Sequence, residues 1–126
     1  MTRIKIISSA ALLLAALVCL PSLALAGDVE KGKALYMQNC SSCHGDTGAG
    51  DGPTGAALPV KPRDFGDGSF KFDTDGDGKA GTDADLVNVI KNGAMKYGGS
   101  PLMAPLPHLS DENVADIIAF VRSLKK

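Results

Sequence analysis

A long stretch rich in glycine, proline and aspartate sets the strongest limit on how this chain folds. Residues 45–81 hold ten of the 15 glycines of the chain, together with three prolines and few aliphatic side chains. Glycine and proline interrupt helices and strands, so this composition excludes regular secondary structure over most of the stretch. A loop this long in a small domain is usually functional or wrapped around something.

The amino-terminal segment has the layout of a secretory signal peptide. Arg3 and Lys5 precede an almost uncharged apolar run over residues 6–26. Its last three residues, Ala24-Leu25-Ala26, match the small-residue pattern of a cleavage site. We therefore expect residues 1–26 to be removed, which leaves residues 27–126 as one domain.

Two other readings of this segment stay open. An apolar run of about 20 residues can span a bilayer, so the segment could remain as a membrane anchor. Lipid attachment at Cys19 is a further alternative, although Val18 is a poor match to the small residue expected before a lipidated cysteine. Contact with a membrane is expected only if the segment is retained.

Charge and cysteine content narrow the classes of function. Removal of residues 1–26 takes away two of the 13 basic side chains and none of the 14 acidic ones, so the net charge becomes about −3. This weak acidic balance gives no reason to expect nucleic acid as a partner. The remaining cysteines are Cys40 and Cys43, which in an oxidising exported compartment form a disulfide, a metal site or a covalent cofactor attachment.

Three segments have the pattern of helices, over residues 28–39, over residues 82–93, and from Ser110 to the end of the chain. Thr82 with Asp85 three residues later indicates a capping box. The last helix repeats apolar side chains at intervals of three and four residues: Val114, Ile117, Ile118, Val121 and Leu124. No segment alternates for long enough to predict a strand, so we predict an all-α domain.

The residues Cys40-Ser41-Ser42-Cys43-His44 form the haem attachment pattern C-x-x-C-H. Two thiols three residues apart on a turn can reach both vinyl groups of one porphyrin. The adjacent His44 then lies beneath the ring, where an imidazole nitrogen can bind iron. Three short helices bury too little apolar surface to offset the conformational entropy that is lost when so long a loop becomes ordered. A haem would supply the additional apolar core.

Two other sites use a similar cysteine pair. A thioredoxin-like redox site belongs at a strand-to-helix junction, and no strand is predicted here. A structural zinc site needs more ligands, and His108 is the only further cysteine or histidine after residue 44. We therefore predict a haem attachment site at this cysteine pair, and a thiol oxidoreductase is a less favoured alternative.

The commonest partner of histidine as an axial ligand in cytochromes c is methionine. Met103 is our candidate, because it lies in the proline-stiffened segment 100–105, which can present a weak ligand at a fixed distance. Met37 is too close to Cys40 to reach the opposite haem face, and we expect Met95 to fill the core. Met95 remains the second candidate for the ligand, and His108 and an open sixth position are the further alternatives.

From residue 27 onward the chain resembles the class I cytochromes c over essentially its whole length. The residues that carry the resemblance are Gly32 and Tyr36, the C-x-x-C-H-G motif of Cys40 to Gly45, the Met103 loop, and Leu109-Ser110-Asp111-Glu112 leading into Ile118-Ala119-Phe120-Val121. One departure is Ala104, which follows Met103 where many members have proline. The resemblance implies helices and long loops wrapped around one covalent haem c.

The resemblance also implies particular contacts and a role. The first and last helices would cross at Gly32, Tyr36 and Phe120. A backbone carbonyl, best matched by that of Pro53, would accept a hydrogen bond from the ring of His44 and fix its orientation. The chain would be an electron carrier and not an enzyme, with iron cycling between Fe(II) and Fe(III) and redox proteins as donor and acceptor. The form of the amino-terminal segment, and not the resemblance, predicts a bacterial and periplasmic protein.

Two rival functions follow from the same motif. If the sixth position is open, the haem would bind a small gas or a peroxide in a sensor or an enzyme. If residues 1–26 are retained, the domain would be a tethered subunit that passes electrons within one respiratory complex.

Three weaker signals complete the reading. Residues 73–78 resemble the first half of an EF-hand loop, but position twelve is Ala84, so calcium is a less favoured second cofactor. Residues 61–65 could place cationic donors near the haem propionates. A local docking patch could use the lysines Lys61, Lys91 and Lys96.

Overall fold

The computed structural model describes residues 26–126, and the predicted signal peptide lies outside them except for Ala26. Four α-helices occur in this part: α1 (Val29–Asn39), α2 (Ser41–His44), α3 (Asp83–Asn92) and α4 (Asp111–Ser123). Single 3₁₀ turns lie at Gly55–Ala57, Phe65–Asp67 and Ala94–Tyr97. Residues 26–126 contain no strand, so the predicted all-α fold is confirmed.

The ends of the helices follow from side chains that cap them. Asp28 accepts hydrogen bonds from two backbone N–H groups in the first turn of α1. Thr82 and Asp85 form the predicted capping box at the start of α3, and Gly93 ends that helix with a φ of 80°. Ser110 caps α4 through its hydroxyl oxygen. Each cap satisfies backbone groups that the helix itself leaves without partners.

The core lies where α1 packs against α4. Tyr36 is fully buried, and its ring centroid lies 5.0 Å from that of Phe120. A β-carbon at Gly32 would lie only 1.9 Å from the carbonyl oxygen of Asp116, so only glycine allows the two backbones to approach this closely. The contact implied by the family resemblance among Gly32, Tyr36 and Phe120 is therefore present.

This helix pair holds the cysteine motif in place. The N–H of Cys40 donates to the carbonyl of Tyr36 at 2.8 Å, and the N–H of His44 donates to that of Cys40 at 2.9 Å. The hydroxyl of Tyr36 in turn donates to the carbonyl of Gly45 at 2.7 Å. The short helix α2 is thus attached at both ends to a core residue of α1.

The long loop is fixed to the motif by backbone hydrogen bonds. The N–H of Gly50 donates to the carbonyl of His44 at 2.8 Å. The N–H of Thr54 donates to the carbonyl of Ser42 at 2.9 Å. Residues 45–81 therefore wrap around α2 without regular strands or long helices, as their composition predicts.

The acidic part of the loop is anchored to the first turn of α3. Asp85 is 1% exposed, and its carboxylate accepts hydrogen bonds from the backbone and hydroxyl groups of both Thr74 and Thr82, at 2.6–2.9 Å. These hydrogen bonds, above all the one from the Thr74 backbone, hold the pKa of Asp85 well below its usual range.

Carboxylate oxygens of Asp73, Asp75 and Asp85 lie within 4.8 Å of one another. Both oxygens of Asp73 already accept hydrogen bonds from backbone N–H groups of the same turn, at 2.8 and 2.9 Å. Calcium binding at Asp73–Asp77 stays a prediction. Separately, none of the helices in residues 26–126 is both long and apolar enough to cross a membrane.

Candidate functional site

A deep cleft opens beside α2, bordered by the long loop, by α3 and α4, and by the segment before α4. Its volume is about 400 Å³, and an adjoining hollow of about 120 Å³ shares several of its walls. Cys40, Cys43, His44 and Met103 all line the larger cleft. The structure thus brings together four of the five site residues predicted from the sequence.

The walls of the two hollows are mostly apolar. They come from the loop, α3, α4 and the segment before α4: Phe65, Phe70, Phe72, Leu86, Ile90, Leu106, Ile117 and Val121. Burying such side chains against a large apolar ring would remove them from water and stabilise the fold. A porphyrin therefore fits the cleft, and the three phenylalanines lie where they can pack against it.

His44 is largely buried in the wall of the cleft. Its ring stacks on that of Phe65, with centroids 4.7 Å apart and planes 20° apart. Burial lowers the pKa of His44, and the nearby backbone of Arg63 opposes this shift to a smaller extent. Burial therefore favours the neutral imidazole, which is the form that binds a metal ion. No hydrogen bond of ordinary geometry reaches Nδ1, although the atom is buried.

Pro53 is the predicted site residue that the cleft does not include. It is exposed, and it does not line either hollow. The segment around Pro53 passes behind α2, because a β-carbon at Gly55 would lie 2.0 Å from the carbonyl oxygen of Cys43. The role of the Pro53 carbonyl stays a prediction, and the backbone of Arg63 lies near the His44 ring as well.

The two thiols are free and partly buried. Burial, together with the neighbouring Cys43, raises the pKa of Cys40 to about 11. A protonated thiol is a poor nucleophile, whereas thiol oxidoreductases lower the pKa of the attacking cysteine. Within residues 26–126 the thiols also belong to no group of three or more metal-binding side chains. The thiol-redox and zinc readings therefore lose support.

Of the candidates for the sixth ligand, Met103 is the one that lines the cleft. Met37 packs against the core, and His108 is exposed away from the cleft. Met95 is 68% exposed, so the prediction that it fills the core is wrong. The 3₁₀ turn Ala94–Tyr97 turns this side chain outward instead of continuing the buried face of α3.

The backbone of Met103 is anchored on both sides. Its N–H donates to the carbonyl of Ser100 at 3.2 Å, and its carbonyl accepts from the N–H of Ala94 at 3.1 Å. Gly93 allows this contact, because a β-carbon there would lie 3.0 Å from the Met103 carbonyl oxygen. The loop can therefore hold the thioether in a fixed position despite the alanine that follows Met103.

Cationic side chains border the same cleft. Arg63 and Lys71 line both hollows. The guanidinium of Arg63 lies 3.2 Å from the hydroxyl of Ser69 and 3.8 Å from the carboxylate of Asp67, and its Nε is buried without a partner. A buried donor without an acceptor is costly, so this edge fits an anionic group such as a haem propionate.

Comparison with known proteins agrees with this geometry. The family model described as cytochrome c matches residues 29–125. The curated cbb3-type cytochrome c oxidase subunit CcoP of Azospirillum sp. (strain B510) is 40% identical over 103 residues, which cover 79% of this chain and 29% of that protein. The chain therefore spans less than a third of the length of this relative.

A solved structure is also similar. It is a chain of the reducing HAO-like protein complex of Kuenenia stuttgartiensis, with a TM-score of 0.64 and 33% sequence identity. The match covers 78% of this chain and 43% of that one. The helical fold, the motif, the cleft and the family match lead to one conclusion: the chain belongs to the cytochrome c family, as a class I c-type cytochrome.

Proposed function

We propose that this chain is an exported single-haem electron carrier, with haem c attached through Cys40 and Cys43 and iron held between His44 and Met103. The observation that carries the proposal is that all four side chains line one largely apolar cleft. When bound, the haem supplies a one-electron couple between Fe(II) and Fe(III).

The residues of the chain would tune and protect this couple. The apolar walls exclude water from the cleft. The neutral ring of His44, stacked on Phe65, is held ready to bind a metal. The backbone of Arg63 acts on the same ring, and its guanidinium would pair with a propionate, so one residue would orient the ligand and compensate a charge.

The mouth of the cleft offers a surface for redox partners. Val60 and Leu102 line the cleft and are 67% and 51% exposed, so the opening has an apolar rim. Lys61 lies at the same opening. Lys91 instead pairs with Asp111 of α4, which removes it from the expected docking patch. We infer that donor and acceptor dock over this rim, where the bound haem would be closest to solvent.

We propose cleavage after Ala26 and a periplasmic location, in agreement with the predicted signal peptide. Ala26, the first residue that the structure describes, is exposed. A second candidate is a tethered subunit that serves one complex, because the relatives named above are an oxidase subunit and a chain of an HAO-like complex. Intact mass of the protein from periplasmic and membrane fractions separates the two.

The proposal is tested by expressing the full chain with a c-type maturation system. We expect one covalently bound haem that survives denaturation and undergoes a reversible one-electron titration. Cys40→Ala and Cys43→Ala should each reduce covalent attachment, whereas the control Cys19→Ser should leave it unchanged. Absence of covalent haem in the unmodified protein would refute the proposal.

Binding of carbon monoxide to the reduced protein separates a carrier from a sensor or an enzyme. A methionine ligand should keep the wild-type iron from binding the gas at low concentration, and Met103→Ala should permit it. Ready binding by the wild type would favour the open-site alternative.

A further inference from the structure

The residues just after the proposed cleavage site are seated against the middle of α4. A β-carbon at Gly27 would lie 2.2 Å from the carbonyl oxygen of Ala115, so its α-carbon lies directly on the backbone of that helix. The N–H of Asp28 donates to Oδ1 of Asp116 at 2.6 Å. The start of the domain is therefore packed before α1 begins.

Asp116 is a buried residue whose carboxylate can accept further hydrogen bonds. The residue is 5% exposed, and the hydrogen bond from Asp28 is the only one that its side chain accepts within residues 26–126. The salt bridges in that part of the chain join other residues: Arg63 with Asp67, Lys91 with Asp111, and Arg122 with Asp83. A carboxylate has about four acceptor sites, so this side chain has room to accept hydrogen bonds from a cationic group.

We propose that Asp116 is the binding site for the amino terminus that cleavage after Ala26 creates, with the ammonium group of Gly27 as its cationic partner. The nitrogen atoms of consecutive residues lie at most about 3.7 Å apart, so the Gly27 nitrogen is close to the N–H that already contacts Asp116. This inference rests on the proposed cleavage. In an uncut chain the same nitrogen is a neutral amide.

Cleavage would then do more than release the protein. The contact of Gly27 with the backbone of α4 joins the start of α1 to α4, and the same helix pair holds the cysteine motif. The positive end of the α1 dipole repels an ammonium group, so the terminus needs a nearby carboxylate. Asp116 supplies it from the neighbouring helix, and an uncut or extended chain would lack this ion pair.

The ion pair has a defined pH dependence. The α-amino group ordinarily has a pKa of about 7.7–8.0, and a neighbouring carboxylate raises it. The ion pair therefore stabilises the folded protein fully below that range. This stabilisation is lost as the pH rises through the raised pKa of the α-amino group in the folded protein. The other charged side chains in the adjoining turns of α1 and α4 are Asp28, Glu30, Lys31, Asp111 and Glu112. Lys31 is the only one of these that opposes the ammonium group.

The test uses four haem-loaded proteins. One begins at Gly27, one carries an extra alanine before Gly27, and the other two repeat this pair with Asp116→Asn. Asparagine keeps the size of the side chain and an oxygen for the Asp28 N–H, but it removes the charge. Thermal unfolding is measured at pH 6.5 and pH 10.5, and intact mass confirms where each chain begins.

We expect the extra alanine to lower the midpoint of unfolding by about 2–6 °C at pH 6.5 in the Asp116 pair. The loss should largely disappear at pH 10.5 and in the Asp116→Asn pair. An equal fall in the unfolding midpoint in both pairs, or at both pH values, would overturn the proposed ion pair. A wild-type chain that begins at a residue other than Gly27 would overturn it as well. Haem spectra of all four proteins report the proposed function separately, because neither change touches the cleft.

Discussion

The hydroxyl of Tyr36 donates a 2.7 Å hydrogen bond to the carbonyl of Gly45, the residue directly after the proposed iron ligand His44. Both groups are buried. The bond ties the end of the cysteine motif to the most buried aromatic residue of the α1–α4 contact. The position of the ligand therefore depends on how α1 and α4 pack against each other.

Tyr36→Phe should lower the free energy of unfolding by about 1–2 kcal/mol, because it leaves the Gly45 carbonyl without its partner and removes no packing. Denaturant unfolding of the oxidised protein measures this change. Tyr97→Phe is the control, because that hydroxyl bonds an exposed asparagine side chain instead. Equal stability of wild type and Tyr36→Phe would contradict the account.

Gly32→Ala should destabilise the protein by about 3 kcal/mol or prevent folding, since the new methyl group would meet the Asp116 carbonyl oxygen. Gly76→Ala is the comparison: a β-carbon there has no neighbour within 4 Å, and the positive φ of 75° is its main cost. Chemical denaturation of both variants should show the larger loss for Gly32→Ala. The reverse order would show that the helices separate easily.

Asp85→Asn should make the free energy of unfolding less dependent on pH in the acidic range. The hydrogen bonds that Asp85 accepts lower its pKa in the folded protein. The contribution of Asp85 to the free energy of unfolding is therefore present above the ordinary aspartate pKa of about 3.9, and it is lost as the pH falls through the lower pKa of the folded state. Asp85→Asn should be less stable than wild type at pH 7, and the difference should shrink below about pH 4. Asp77→Asn, in the exposed part of the loop, serves as the control.

Arg63→Gln should lower the reduction potential by roughly 20–60 mV, because loss of a positive charge at the cleft favours the ferric state. The substitution keeps the Arg63 backbone, so the contact with His44 persists. Lys79→Gln removes an equal charge from the exposed acidic loop and should change the potential much less. A spectroelectrochemical titration of the three proteins decides, and equal shifts would place the Arg63 side chain away from the haem.

The parts of the fold that depend on local residues were predictable. The capping box of Thr82 and Asp85 acts within one turn of its own helix, so sequence spacing was enough to place it. Met103 could be chosen because prolines stiffen its loop, and the structure places it in the wall of the cleft. These predictions did not require knowledge of how distant segments pack.

Contacts that depend on the path of the long loop were not predictable. Which backbone groups of residues 45–81 come near His44 depends on how that loop wraps around α2; the Arg63 backbone lies near the ring, and Pro53 lies outside the cleft. The outward direction of Met95 depends on a 3₁₀ turn that apolar periodicity does not reveal. The closeness of Asp116 to Asp28 joins residues 88 positions apart, so no local pattern reports it.

The most direct test of the central claim is the optical spectrum of the mature protein, oxidised and reduced, beside Met103→Ala and Met95→Ala. We predict a low-spin covalent haem with a methionine-to-iron charge-transfer band in the wild type and in Met95→Ala, and loss of that band in Met103→Ala. A band that is absent from the wild type, or that survives Met103→Ala, would contradict ligation of the iron by Met103.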